Sequence, residues 1–203
     1  MTDGGSSSKQ TSERILEIAL SVLASGGLDA VTVRRVADGA GVSVSVVHHH
    51  FGSKQGLLDA CKTDFYTRAF ELIVSVIQEA EGKPPRETLD LLMRDLFSFS
   101  RNNLGVLRLL ARDILADGRL IKPFRGYDRR PFFKIADNLI GPSLGLTTEL
   151  ARVRLQAVSV LLVRFAVSTD DDLEALLGYS GDAAIAAAED HVVAMTQLLL
   201  LGS

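Results

Sequence analysis

The chain has no tryptophan, a single cysteine, five prolines and only 6% aromatic residues over its 203 positions. Cys61 cannot close an internal disulfide, and with no Cys-x-x-Cys pair a structural zinc site is excluded, so a reducing compartment suits the sequence. No apolar run reaches the roughly 18 residues that cross a bilayer, and the first ten residues are polar. These features speak against a membrane span and a signal peptide, and a cytoplasmic location is the expectation. Positive charge is not in excess either: 22 Lys and Arg stand against 25 Asp and Glu, for a formal net charge of -3. A protein that coats nucleic acid with its whole surface is thereby excluded.

What is present is apolar residue at helical spacing. Hydrophobic residues make up 47% of the chain, enough to bury a sizeable core. No alternation of period two competes with the three- and four-residue spacing, so the fold class is all-α. Residues 1–10, rich in Gly and Ser, read as a disordered tail. A first helix starts near Thr11, with Ile15, Ile18, Ala19, Val22 and Leu23 on one face and Ser25-Gly26-Gly27 at its end. A second, short helix follows Thr32, a good N-cap, and stops at Gly41. Only three residues separate it from a third helix, capped by Ser43, in which Val42 and Val47 are spaced as a hydrophobic staple. A long fourth helix runs from about Ser53 to Glu81. After Gly82-Lys83-Pro84-Pro85 the pattern stays helical to the end. Thr169-Asp170-Asp171-Asp172 reads as a cap and first turn rather than as a cation site.

Three of the four histidines are adjacent, in the stretch Ser43-Val44-Ser45-Val46-Val47-His48-His49-His50-Phe51. Successive residues on a helix point about 100° apart, so these three rings cannot converge on one metal ion. A hydrolytic Ser45–His48 or Ser45–His49 pair lacks an orienting acid, since no acidic residue lies between Asp38 and Asp59. Neither a catalytic nor a metal site is expected, and nothing calls for a cofactor. Two short helices joined by a Gly-containing turn, the second with small and hydrogen-bonding residues outward, fit a helix-turn-helix for the DNA major groove. Around it Lys9, Arg14, Arg34, Arg35 and Lys54 slightly outnumber Glu13, Glu17, Asp29 and Asp38.

The segments Thr11-Ser12-Glu13-Arg14-Ile15-Leu16, Gly26-Gly27, Val31-Thr32-Val33-Arg34-Arg35-Val36-Ala37, Ala40-Gly41-Val42-Ser43, His49-His50-Phe51 and Ser53-Lys54-Gln55-Gly56-Leu57-Leu58 together resemble the amino-terminal domain of TetR-family transcriptional regulators. The resemblance covers about the first 60 residues. It implies a helix-turn-helix DNA-binding domain at 11–54, joined by the long helix to a helical ligand-binding and dimerisation domain at 55–203. It further implies a homodimer on a palindromic double-stranded operator, in most cases repressing and released by a small-molecule effector. Carried over by position, Thr32 and Lys54 anchor phosphates, while Ser43, Val44, Ser45, Val46 and His49 line the groove. His48 stands where the family usually has a tyrosine on the phosphate backbone.

For the effector, helices between Arg86 and Ile140 are expected to supply an apolar lining of Met93, Phe97, Leu107, Leu110, Phe132, Phe133 and Leu139, with Arg94, Arg108 or Asn138 as polar anchors. The last two long helices are the interface candidates, through Val153, Ala157, Val160, Leu161 and Arg164 and through Ala183, Ala184, Ala187, Val192, Met195 and Leu199. Cys61, between Leu57 and Phe65 at four-residue spacing, reads as a small hydrophobe rather than a redox switch. The rival reading is a helical small-molecule-binding protein or enzyme in which the helix-turn-helix is incidental.

Overall fold

The computed structural model describes residues 4–117 and 130–202, leaving out the side chains at 4–6, 114, 115, 117, 130–132 and 139. Among the described residues there is no strand. Helix α1 spans Gly4–Ala30 with its path broken at Gly27. Helices α2 (Val33–Ala40), α3 (Val44–Phe51), α4 (Lys54–Glu79), α5 (Pro85–Asn102) and α6 (Leu104–Asp117) follow. Next come α7 (Arg130–Ile135), a π-helical turn (Ala136–Ile140), α8 (Gly141–Leu144), α9 (Thr148–Val167), α10 (Asp170–Leu177) and α11 (Asp182–Leu201).

The helix thus begins at Gly4, where the sequence suggests a disordered tail. Within this stretch Thr11 Oγ1 donates to the Ser7 carbonyl at 2.8 Å, Ser12 Oγ to the Lys9 carbonyl at 2.9 Å, and Lys9 lies 3.7 Å from Glu13 one turn on. Such spacing supports a helix weakly, by a few tenths of a kcal/mol per pair.

The described residues of Met1–Thr67 and Gly105–Tyr127 form one packed unit, and those of Arg68–Leu104 and Asp128–Ser203 the other. The division therefore falls inside α4, thirteen residues past the boundary at 54 expected from the sequence, and α6 joins the first unit apart from its leading residue. In that unit α1, α2 and α3 pack on one another around Ile15, Leu23, Val31, Val36 and Val47, with Leu57 and Cys61 from α4, all under 2% exposed. Burying each such aliphatic side chain contributes about 1.5–3 kcal/mol, which fixes α2 and α3, each of 8 residues and too short to persist alone.

In the second unit α11 packs on α5, α9 and α10. It is long and apolar enough to cross a membrane by length and composition. Here one side of it faces the packed unit: Ala184, Ala188, Val192 and Leu200 are buried, and Arg94 of α5 reaches Asp190 at 2.8 Å and Glu189 at 3.4 Å at its midpoint. Thr169 caps α10 by accepting from the Asp172 N–H, with Asp170, Asp171 and Asp172 in the first turn and Arg101 paired to Asp170. The acidic run is a helix start, as its sequence suggests.

Candidate nucleic-acid interface

Thr32 has extended backbone and its hydroxyl oxygen accepts from the Arg35 N–H at 3.1 Å, capping α2. Loss of such a cap costs about 1 kcal/mol. The cap uses the oxygen and leaves the Thr32 hydroxyl proton to donate outward. Gly41 then ends α2 in the left-handed region, its N–H bonded to the carbonyls of Ala37 and Asp38. Three residues later α3 begins. Ser43 sits at its N-cap but makes no capping bond; its Oγ pairs instead with Ser45 Oγ at 2.8 Å. The sequence-based expectation of a Ser43 cap is corrected on this point, because the neighbouring hydroxyl captures the side chain.

Burial splits α3 as its periodicity predicts. Val47 is 1% exposed, and His50, Phe51 and Val46 are half-buried, whereas Ser43, Val44, Ser45, His48 and His49 are exposed. Val44 stands 42% exposed, an apolar side chain turned to solvent beside two hydroxyls. A surface of this kind, free of Lys, Arg, Asp and Glu from 41 to 53, can read base edges and a thymine methyl. Among the described residues no three His, Cys, Asp or Glu side chains are placed to hold a metal ion. His49 and His50 meet edge to face with centroids 5.3 Å apart.

A sharp turn fixes where α3 ends. Gly52 has φ 75° and ψ -47°, and the Ser53 N–H donates to the Phe51 carbonyl at 2.9 Å, a γ-turn that a side chain at its centre would strain. Lys54 opens α4, exposed, with Nζ 3.4 Å from the Leu28 carbonyl oxygen. Gly56 is there for closeness: a Cβ on it would lie 2.0 Å from the Phe51 carbonyl oxygen. Backbone cannot yield to that contact, so Gly56→Ala must push α4 away from α3. We expect it to cost about 1–3 kcal/mol, as overpacking does, read as a lower midpoint in thermal unfolding.

Sequence reasoning missed a buried polar cluster in the same unit. Lys62 is 3% and Asp59 8% exposed, and Lys62 Nζ reaches Asp59 Oδ1 at 2.7 Å and Asp113 Oδ2 of α6 at 3.1 Å. Gln55 donates to Asp59 at 2.9 Å and Arg112 to Asp113 at 2.8 Å. Burial alone would lower the Lys62 ammonium, but its bonds to Asp59 and Asp113 outweigh that and hold it above the ordinary lysine value. Burial likewise would raise Asp113, and the bonds from Arg112 and Lys62 hold it below the usual carboxylate range. Only the spacing of three between Asp59 and Lys62 hinted at this; Asp113 is too distant in sequence to be paired by pattern. Cys61 is fully buried beside them, its thiol pushed up to about 12 by burial and by nearby Asp64.

The residues expected to line an effector site divide between the units. Leu107 and Leu110 are buried and Arg108 exposed on α6 of the first. In the second, Met93 and Phe97 are buried on α5, Phe133 is half-buried with the Arg152 guanidinium 5.4 Å over its ring, and Asn138 is exposed. Phe132 and Leu139 lie outside the described side chains. Arg94, considered as a ligand anchor, is already held by Asp90, Glu189 and Asp190. Of the interface candidates, Ala184 and Val192 face their own core, whereas Val153, Val160 and Met195 are 61%, 53% and 44% exposed.

The family model of bacterial regulatory proteins, tetR family, matches residues 15–61, which hold α2, the turn, α3 and the start of α4. The chain is 47% identical over 93 residues to the HTH-type transcriptional repressor KstR2 of Mycobacterium tuberculosis, covering 46% of each chain. The chain spans about half the length of the curated relatives it matches. Over nearly the whole length the fold is that of solved regulators. A putative TetR-family transcriptional regulator from Mesorhizobium loti superimposes with TM-score 0.66 at 19% identity, covering 95% of this chain and 96% of that one. FadR from Bacillus subtilis, solved in complex with stearoyl-CoA, superimposes with TM-score 0.59 at 17% identity, covering 94% and 98%. The family model coincides with the three-helix unit and its outward α3 face, so residues 15–61 match the helix-turn-helix domain of the tetR family of bacterial regulatory proteins.

Proposed function

We propose that the protein is a transcriptional repressor of the bacterial cytoplasm that binds a palindromic operator as a homodimer and is released by a small-molecule effector. The observation that carries the reading is the exposed face of α3, where Val44, Ser45, His48 and His49 are presented to solvent on a helix anchored by buried Val47. Ser43, Ser45, Val44, Val46 and His49 meet the groove, and Thr32, His48 and Lys54 the phosphates. One such module makes too few phosphate contacts for tight binding at physiological salt, hence the dimer. Exposed Leu150, Val153, Val160, Met195 and Leu198 recur at helical spacing on α9 and α11 and supply its interface.

The carboxy-terminal helices hold the effector, with Met93, Phe97 and Phe133 in the apolar lining and Asn138 as a polar contact. A tenfold release of DNA requires only about 1.4 kcal/mol of differential affinity between the two states. Stearoyl-CoA, the ligand of the FadR structure, is the first probe to add.

Selection of bound duplex from a random pool, followed by footprinting, tests the reading, and a two-fold symmetric protected site is expected. On the selected duplex, Lys54→Ala should weaken binding to every sequence and reduce the salt slope by about one phosphate contact, whereas Ser45→Ala should change which bases are preferred. An unchanged salt slope in Lys54→Ala would show that the docking is wrong.

A further inference from the structure

Residues 41–53 contain no Lys, Arg, Asp or Glu, so any formal charge that α3 offers a polyanion must come from its histidines. All three lie in its last turn. His48 is held in a particular way. Its Nδ1 lies 2.9 Å from the Gly52 carbonyl oxygen, and the Gly52 N–H donates back to the His48 carbonyl at 2.8 Å. A carbonyl oxygen can only accept, so Nδ1 carries a proton, and in the neutral ring the outward Nε2 is a bare acceptor. Phosphate oxygens are acceptors too. The two can bond only when Nε2 gains a proton, which makes the ring a cation and a donor at once.

We propose that His48 engages the DNA backbone only as imidazolium, so that each protomer takes up a proton on binding and affinity rises as pH falls. The inference rests on the reading of α3 as the DNA-facing helix. The elements around α3 carry Glu13, Arg14 and Glu17 on α1, Arg34, Arg35 and Asp38 on α2, and Lys54, Asp59 and Asp64 on α4. Asp64 shares a groove with His49 and His50 and Lys54 is directed to the Leu28 carbonyl. Among the described residues no carboxylate forms an ion pair with His48. The proton therefore has no resident partner to hold it in the free protein and is recruited by the phosphate.

The test is equilibrium binding of the full chain to its selected duplex, and to a mixed-sequence duplex of equal length, at constant ionic strength from about pH 6 to about pH 8. Each proton taken up changes the affinity by up to about tenfold per pH unit. Wild type is expected to lose about tenfold or more over the range on both duplexes, since phosphates are common to every sequence. His48→Gln, whose amide donates without titrating, and His48→Tyr are expected to flatten the profile. A flat wild-type profile would overturn the proposal, as would a slope that persists in both His48 variants. Binding to no duplex at any pH would instead remove the regulator reading itself, and the proposal with it. His48 is exposed, and unchanged thermal unfolding of the variants separates these outcomes from misfolding.

Discussion

Lys62→Met is expected to destabilise the protein by about 3 kcal/mol, the lower part of the range for stranding buried charge. The ammonium lies within 2.7 Å of Asp59 and 3.1 Å of Asp113, and its removal leaves the Asp59 carboxylate buried with only Gln55 donating to it among the bonds described. Asp113, with a side chain 30% exposed and Arg112 beside it, suffers less, which is why the lower figure is chosen. Chemical denaturation of wild type and variant measures the difference. Replacing Asp59, Lys62 and Asp113 together by Leu, Met and Leu should recover most of the loss, since an apolar cluster of similar volume needs no desolvation of charge.

The pH dependence of that difference has a definite sign. Asp113 is held below the usual carboxylate value, so its contribution is complete above the unfolded value near about 3.9 and disappears as pH falls through the lower folded one. Lys62 is held above the lysine value, so its contribution is complete below about 10.4 and is lost as pH rises through the higher folded one. The gap between wild type and Lys62→Met should therefore be widest and flat across neutral pH and narrow in acid.

The second large effect concerns assembly. Val153→Glu with Val160→Glu places two carboxylates on the α9 face at positions 61% and 53% exposed, where an isolated protomer loses no packing. The double variant should keep its helix content yet sediment as a monomer, and its operator affinity should fall on the order of 10³-fold, toward non-specific binding. A variant that remains dimeric would move the interface away from α9 and α11.

How much of this was legible beforehand differs along the chain. The three-helix unit was readable almost residue by residue, because Thr32, Gly41, Gly52 and the Val36 and Val47 core positions each act within a few neighbours. Helices α5, α9 and α11 likewise follow the helical pattern expected after Gly82-Lys83-Pro84-Pro85. Which of the residues expected to line an effector site belong together was not legible: Met93 and Leu107 look alike as apolar residues, and only the tertiary packing assigns them to different units. The same holds for α9, where Ala151 and Val158 are buried while Val153 and Val160 are exposed, a distinction set by which neighbour each face meets. Lys62 shows the limit from the other side, since its partner Asp113 lies 51 positions away and no local pattern announces a charge placed in the interior.

Cys61 is the chain's one thiol; it is sealed inside α4's packing and kept protonated by burial. Only the thiolate reacts readily, so an alkylating reagent can mark this protein only in the moments when the helix around Cys61 lifts from its neighbours. The rate of that marking is a stopwatch for breathing of the amino-terminal unit, present in the sequence with no label added.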